Sequence, residues 1–442
     1  MTCMFSRICL LPLLFVGIVL NSAVYAEETT GDEVIGWPEF RGPNGNGMAA
    51  APGETVGMPV EWSEEKHVVW KTEIPFKGWS TPVVLDGNVW VTTATEDGHD
   101  YFVICVDAET GEILLNEKLF HSDNPEPLGN DVNCYASPTP VVEPGRVYVN
   151  FGSYGTVCLD TTTYEKIWER TDLQCRHYRG PGSSPIVYEN MLILTFDGVD
   201  VQYLIALDKK TGETLWRTDR STEWQDLDPD GNPLREGDFR KAFTTPLVIN
   251  VGERGLVISP SSFAVFAYDV HTGEEVWHTT NKAYSPAVRP VYGKGLVYVA
   301  TGRGSTAEVQ AIRPDGTGDV TETHIVWKVG GRIVPDEPSP LLIENHLYLV
   351  NNGGGIACLD ATTGAEVWSQ RLGGNCIASP IYADGTIYVC NTQGRTTVLQ
   401  TGERPQVLAQ NELDAGCMAS PAVAGKALFL RTKTHLYRIE NK

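Results

Sequence analysis

Three groups of side chains in this 442-residue chain have types and spacings suited to chemistry. The first is Asp226-Leu227-Asp228-Pro229-Asp230-Gly231, carboxylates on alternate residues followed by glycine, as in the opening half of a calcium loop. Hard oxygen ligands so spaced can converge on one cation, which makes Asp226, Asp228 and Asp230 candidate metal ligands and Ca²⁺ the candidate ion. The loop's twelfth position is Gly237, with Glu236 and Asp238 on either side of it, so the expected bidentate Glu is out of step. An acidic surface turn is the competing reading.

The second group is Trp79, Asn133, Tyr135, His177, Tyr178, Arg179, Arg240, Lys241, Phe243, Lys282, Tyr284, Arg332 and Asn375. Cationic, amide and aromatic groups mixed within a chain of formal net charge −22 suit a small anionic or sugar-like ligand, or a peptide segment. The alternative is a solvated rim of capped loops. The third group is cysteine: ten in all, of which Cys3 and Cys9 lie in the first 26 residues. Cys376 with Cys417, or Cys134 with Cys175, could form bridges, but spacing does not fix connectivity. Cys105, Cys158 and Cys358 fill a slot held elsewhere by Ala206 and Ala267, which reads as buried thiol. No paired Cys-x-x-Cys supports zinc, and neither His-Glu-x-x-His, Gly-x-Ser-x-Gly nor a complete phosphate loop is present. An acidic chain also lacks the basic footprint of sequence-independent nucleic-acid binding.

The elements that must position these groups are repeats. Cys358-Leu359-Asp360-Ala361-Thr362-Thr363-Gly364 is followed by Trp368, and the same phrase recurs at Asp107 to Leu115, Asp160 to Trp168, Asp208 to Trp216 and Asp269 to Trp277. Short apolar runs around a Thr-Gly turn read as hairpins, with Asp accepting backbone N–H groups, Gly taking positive φ and Trp filling the wedge between sheets. A second mark, Ser or Thr before Pro, recurs at Thr81, Ser137, Ser184, Thr245, Ser285, Ser339, Ser379 and Ser420, where Pro can open a strand. Four strands per unit, eight times, predict an all-β, eight-bladed β-propeller of four-stranded antiparallel blades. The last unit lacks its Trp strand, and His67-Val68-Val69-Trp70-Lys71 supplies one at the other end, so the N-terminal strand is expected to complete the last blade. Unit 5 replaces the Leu-Asp turn with Ile312-Arg313-Pro314-Asp315-Gly316 and predicts a longer hairpin. The links between each Trp strand and the next Ser/Thr-Pro vary most. They gather on one face, where the second group lies.

Residues 1–26 carry Arg7, an apolar run from Ile8 to Leu20 and a small-residue end at Ala26, which reads as a signal peptide cut near Ala26. That predicts a periplasmic or secreted protein without a membrane span after cleavage. Residues 27–66 form an irregular arm whose Trp37 and Phe40 are expected to pin it to the outside or to one face of a ring built from 67–442.

The Leu-Asp-x-x-Thr-Gly to Trp units with their Ser-Pro strand starts resemble pyrroloquinoline quinone (PQQ) repeats over about residues 67–442. Trp37 to Gly47, Arg179 to Pro185 and Lys241 to Pro246 look like PQQ-binding-like β-propeller repeat proteins, similar in size and fold to BamB. That resemblance implies a monomeric, cofactor-free envelope scaffold that binds an envelope protein or a ligand through its channel-face loops. Its alternative implication is a PQQ-dependent dehydrogenase of alcohols or sugars; position on the channel face would then make Asp131, Asp336 or Asp414 the base and set Arg179 or Lys241 toward the quinone carboxylates. The adjacent Cys pair typical of such enzymes is absent.

Overall fold

A computed structural model of the chain describes residues 1–2, 36–224, 226, 228–230, 237 and 239–441. The expected signal peptide and its cut near Ala26, the arm before residue 36, and Gly231, Glu236 and Asp238 lie outside the described residues. The chain separates into residues 1–34 and 35–442, and all that follows concerns the second unit.

Eight antiparallel sheets follow one another along the chain, as the repeats predict. Blade 1 runs Val83–Leu85, Asn88–Ala94, Asp100–Asp107 and Ile113–His121, with pairing between each consecutive couple. Blade 8 is Ala422–Ala424, Ala427–Arg431 and His435–Ile439, closed by Val68–Glu73. There Trp70 stands opposite Arg438 and Thr72 opposite Leu436, so the N-terminal strand completes the last blade and removes an open sheet edge.

The repeat has a physical cause that spans two blades. Asp360 Oδ1 accepts the N–H groups of Thr362 (3.0 Å) and Thr363 (2.8 Å), which ties the turn. The Trp of the preceding blade then lies on that turn: Trp327 Nε1 donates to Ala361 O at 3.0 Å, and a β-carbon at Gly364 would sit 2.7 Å from its ring. The same arrangement joins Trp70 to Ala108 and Gly111, Trp168 to Lys209 and Gly212, and Trp216 to Val270 and Gly273. Turn glycines are therefore fixed twice, by φ of +72° to +76° and by the indole above them.

The Ser/Thr-Pro pairs form a second inter-blade device. Thr81 N–H donates to Thr139 Oγ1 (3.0 Å), Thr139 N–H to Ser184 Oγ (2.9 Å) and Ser184 N–H to Thr245 Oγ1 (2.9 Å). Beyond a gap the belt resumes from Arg289 through Ser339 and Ser379 to Ser420. Two strand starts need correction. Blade 2 opens at Thr139-Pro140 rather than Ser137-Pro138, and blade 5 at Arg289-Pro290 rather than Ser285-Pro286, since their first strands begin at Val141 and Val291. The long hairpin of unit 5 is present, and its Gly318–Asp319 adds a fifth, parallel strand against Trp277 and His278 of blade 4.

The arm does not lie on the outside. Trp37 exchanges backbone hydrogen bonds with Val84 of blade 1 (2.8 and 2.9 Å), and Pro38 O accepts Val142 N–H of blade 2 (2.8 Å). Further along, Gly47 O accepts Tyr382 N–H of blade 7 at 2.8 Å, and the Asp384 carboxylate accepts N–H groups of Val56, Gly57 and Met58. Between those contacts Phe40 and Arg41 reach Arg289 and Pro340, at the starts of blades 5 and 6 on the opposite side of the ring from blades 1 and 2, so the arm crosses the central channel.

Candidate functional site

At the tip of the crossing arm, Glu39-Phe40-Arg41 is gripped from several blades. Arg289, standing where other blades carry the belt hydroxyl, donates to Phe40 O and pairs with Glu39 at 3.0 Å. Arg41, 1% exposed, donates to Pro380 O at 2.8 Å and to Pro340 O. Burial pushes the Glu39 carboxyl up, against the pull of Arg289, and brings the Arg41 guanidinium down to about 9, with Arg289 adding to the effect.

Above Phe40 the channel opens into a cavity of about 890 Å³, counting its open mouth, on the face of the variable loops. Belt residues Thr81, Thr139, Ser184, Thr245, Ser379 and Ser420 form its wall. Phe40, Trp79, Phe243, Ile377 and Met418 give it apolar surface, and Arg179, Arg303 and Glu337 give it charge. Of the residues expected from sequence to share a site, Trp79, Asn133, Arg179 and Phe243 reach this cavity. Asn133 serves the loops, its amide donating to Arg179 O (2.7 Å) and Pro181 O (3.0 Å).

The remaining candidates are elsewhere. Tyr135 is buried and donates to Glu126 O at 2.7 Å. Tyr178, at φ +54°, lies under the Arg179 guanidinium, 5.3 Å from its ring centroid. Arg240 faces Asp226 at 3.4 Å and Trp224 at 4.7 Å from the ring centroid. Tyr284 stacks on Phe239 with ring centroids 4.5 Å apart, while Lys282, Arg332 and Asn375 are exposed. Asp336 and Arg332 border a separate depression, Asp131 is fully exposed beside Lys77, and Asp414 pairs with Lys71.

His177 and Lys241 are both buried and joined, Nδ1 to Nζ, at 2.9 Å. Their protonation follows from their other partners. Ser153 N–H donates to His177 Nε2 at 2.9 Å, so Nε2 is an acceptor. The Ser153 hydroxyl donates to Cys175 O at 2.6 Å and does not compete. The ring proton is therefore on Nδ1, and Lys241 must accept it as a neutral amine. Burial favours the same state: it lowers the Lys241 ammonium, and it lowers His177 well below its usual value.

Sequence reading misses Arg303 and Glu337. Arg303 Nη2 donates to Glu337, whose other oxygen takes the Asn352 amide, and Asn352 Oδ1 accepts the N–H groups of Asp336 (2.9 Å) and Glu337 (3.3 Å). Burial raises the Glu337 carboxyl to about 7, against the pull of Arg303 and with Asp336 adding. Neither residue belongs to a repeated phrase, so no periodic signal marks them. Phe40 does carry a signal in Trp37 to Gly47, but one that points to the outside or a face of the ring rather than to its channel.

The calcium expectation gains no support from side-chain placement. Among the described residues no three His, Cys, Asp or Glu side chains come together, Asp226 faces Arg240, and Asp228 Oδ1 accepts Asp230 N–H at 2.9 Å as a turn. The bridges Cys376–Cys417 and Cys134–Cys175 are not formed. All eight cysteines beyond residue 26 are buried free thiols, and Cys417 instead meets Cys390 of the neighbouring blade in a side-chain hydrogen bond.

Comparison with known proteins adds the lineage. BamB proteins of Francisella salina and Shewanella oneidensis are 24% and 23% identical over 43% and 55% of this chain, which spans 31% and 59% of their own lengths. Among solved structures, BamB from Moraxella catarrhalis superposes with TM-score 0.55 at 11% identity, covering 84% of this chain and 99% of that one. A europium-containing methanol dehydrogenase superposes with TM-score 0.60 at 13% identity, covering 89% of each. At such identities the superpositions establish the fold alone. The family model described as outer membrane protein assembly factor BamB matches residues 50–171, 136–262 and 261–404, and the chain belongs to this family of PQQ-like-repeat β-propellers.

Proposed function

We propose that this chain is an exported, monomeric, cofactor-free scaffold of the cell envelope that holds a partner protein by its loop face, a segment of the partner entering the axial cavity. The observation that carries this reading is the blind cavity itself. Its floor is the chain's own arm, held by buried Arg41 and Arg289, so the channel serves as a socket rather than a passage. Apolar walls with a few directed polar groups suit recognition. The family's description as an assembly factor supports a protein partner.

The side chains present do not fit the quinone and calcium of the dehydrogenase reading. A tricarboxylate quinone calls for a free cation-ligating carboxylate set, and the one carboxylate lining the cavity among the described residues, Glu337, is taken by Arg303 and Asn352. Asp131, Asp336 and Asp414 do not line it. Titration with PQQ and Ca²⁺ is expected to show no saturable binding.

The direct test places a photo-crosslinking residue at Ile377 or Met418 on the cavity wall, and at Val367 on an outer strand as reference. Crosslinks to one envelope protein from the cavity positions, and none from Val367, are expected. Crosslinks from Val367 alone would move the partner to the rim of the ring and overturn the reading.

A further inference from the structure

The charged pair in the cavity wall indicates what enters it. Arg303 and Glu337 both line the cavity, and the Arg303 Nε is buried with no hydrogen-bond partner among the described residues, as is the indole Nε1 of Trp79. Two donors are thus left over beside apolar wall from Phe40 and Met418. The groups facing Glu337 are Arg303 from the blade 5 loop, Asn352 from the blade 6 loop and its neighbour Asp336. At Arg303 itself one carboxylate stands against one guanidinium, so that end of the cavity offers an anion no net charge while Glu337 is ionised; the cavity's other cation, Arg179, lies over Tyr178 on the loop before blade 3. A second carboxylate brought to Arg303 would meet Glu337 as a like charge, and adding a proton to Glu337 relieves that conflict.

We propose that the cavity captures a carboxylate carried beside a bulky apolar group, as in a Glu or Asp next to an aromatic residue of an extended partner segment, with Arg303 receiving it while Glu337 takes up one proton. This deepens the partner-holding reading and rests on it for the origin of the segment. The apolar group supplies contact area against the Phe40 and Met418 side, and the carboxylate supplies direction through a charge-assisted bond to Arg303. The chain as a whole is strongly acidic, with formal net charge −22, so an anion has reason to enter only where such a local exchange offsets long-range repulsion.

The experiment titrates the full mature chain with two probes, acetyl-Phe-Glu-amide and acetyl-Phe-Gln-amide, at pH 6 and pH 8. Binding is followed through the Trp79 indole N–H signal, assigned with Trp79→Phe. The Glu peptide is expected to bind about tenfold tighter at pH 6 than at pH 8, because its own carboxylate stays ionised while Glu337 changes state. Calorimetry in buffers of different ionisation heat should show uptake of about one proton at pH 8. The Gln peptide should bind weakly and without pH dependence. Glu337→Gln preserves the shape of the wall and should bind the Glu peptide at pH 8 as wild type does at pH 6, with no proton uptake. Arg303→Gln should lose the preference for Glu over Gln. Equal binding of the two peptides, pH-independent binding, or no binding of either would overturn the proposal. Peptide binding without any crosslinked envelope protein would retain this chemistry and sink the partner reading. Crosslinks without peptide binding would do the reverse.

Discussion

Trp327 lies flat on Gly364 of the next blade, so close that a β-carbon at 364 would fall 2.7 Å from the indole. Gly385 shares its φ of +73° and has open space where a β-carbon would go, so the two positions separate steric contact from backbone strain. Gly385→Ala should cost about 1 kcal/mol for the left-handed backbone alone. Gly364→Ala should cost about 2–4 kcal/mol, since the ring must also move. Denaturant unfolding of both variants checks this, and equal losses would mean the Trp contact carries no weight.

The arm's hold on the channel should behave as a buried ion pair. Arg289→Met leaves Glu39 buried without its cation and should destabilise by about 3–5 kcal/mol. Adding Glu39→Gln should restore part of that loss. A double-mutant cycle that sums without coupling would remove the pair from the account.

Acidification should loosen the His177–Lys241 contact. Burial places both groups below their ordinary values, so the folded state resists protons that the unfolded chain accepts. For His177 the stabilising contribution is complete above about pH 6.5 and shrinks as pH falls below it. Lys241 has the same sign, its contribution complete above about pH 10.5 and shrinking below that. Glu337 has the opposite sign: its carboxyl is raised to about 7, so its contribution is present below about pH 4.5 and lost as pH rises through 7. His177→Gln should therefore flatten the acid side of a stability profile and Glu337→Gln the neutral side. Finding those two effects exchanged would contradict a neutral His177–Lys241 pair and a raised Glu337.

The cysteines give a count. In denaturant a chain expressed without residues 1–26 should titrate eight thiols, and in the native state none should react quickly, because all are buried and burial raises thiols such as Cys105 and Cys376 to about 12. Six thiols in denaturant would show a bridge, with Cys390 and Cys417 as the pair already in contact.

Much of the ring was legible because each blade repeats the same solution. The Asp-Thr-Gly turn, the Trp and the Ser/Thr-Pro each recur, and each has a partner in the adjoining blade. Blades 1 and 7 carry Leu115 and Ala409 where the others carry Trp, and the turn in blade 2 that faces Leu115 carries Tyr164 at φ +61° where Gly111, Gly212, Gly273 and Gly364 stand in other turns. There the Tyr164 ring itself meets the edge of Trp90, 5.9 Å between centroids, in place of an outer-strand indole lying on a bare glycine. The site was less legible because its residues occur once. Lys241 and His177 read as exposed cationic groups, yet they lie under Phe243 and beside Ser153, a burial no local pattern announces. Thr139 and Arg289 escaped because Ser137-Pro138 and Ser285-Pro286 offer the same dipeptide a few residues too early. Glu337 and Arg303 are brought together from different loops by the curvature of the ring.

Val68–Glu73 closes blade 8 against His435–Ile439, and the arm before it seats on strands of blade 7. The stretch synthesised early therefore waits for partners that arrive more than three hundred residues later. Contacts of such long sequence separation form slowly, and until they do Trp37, Trp62 and Trp70 have no ring to enter. Maturation is thus gated by the last blades. A chain interrupted within blade 7 or 8 would have neither a sealed ring nor the wall that Met418 and Ser420 give its cavity, and binding competence and completed synthesis would be reached together.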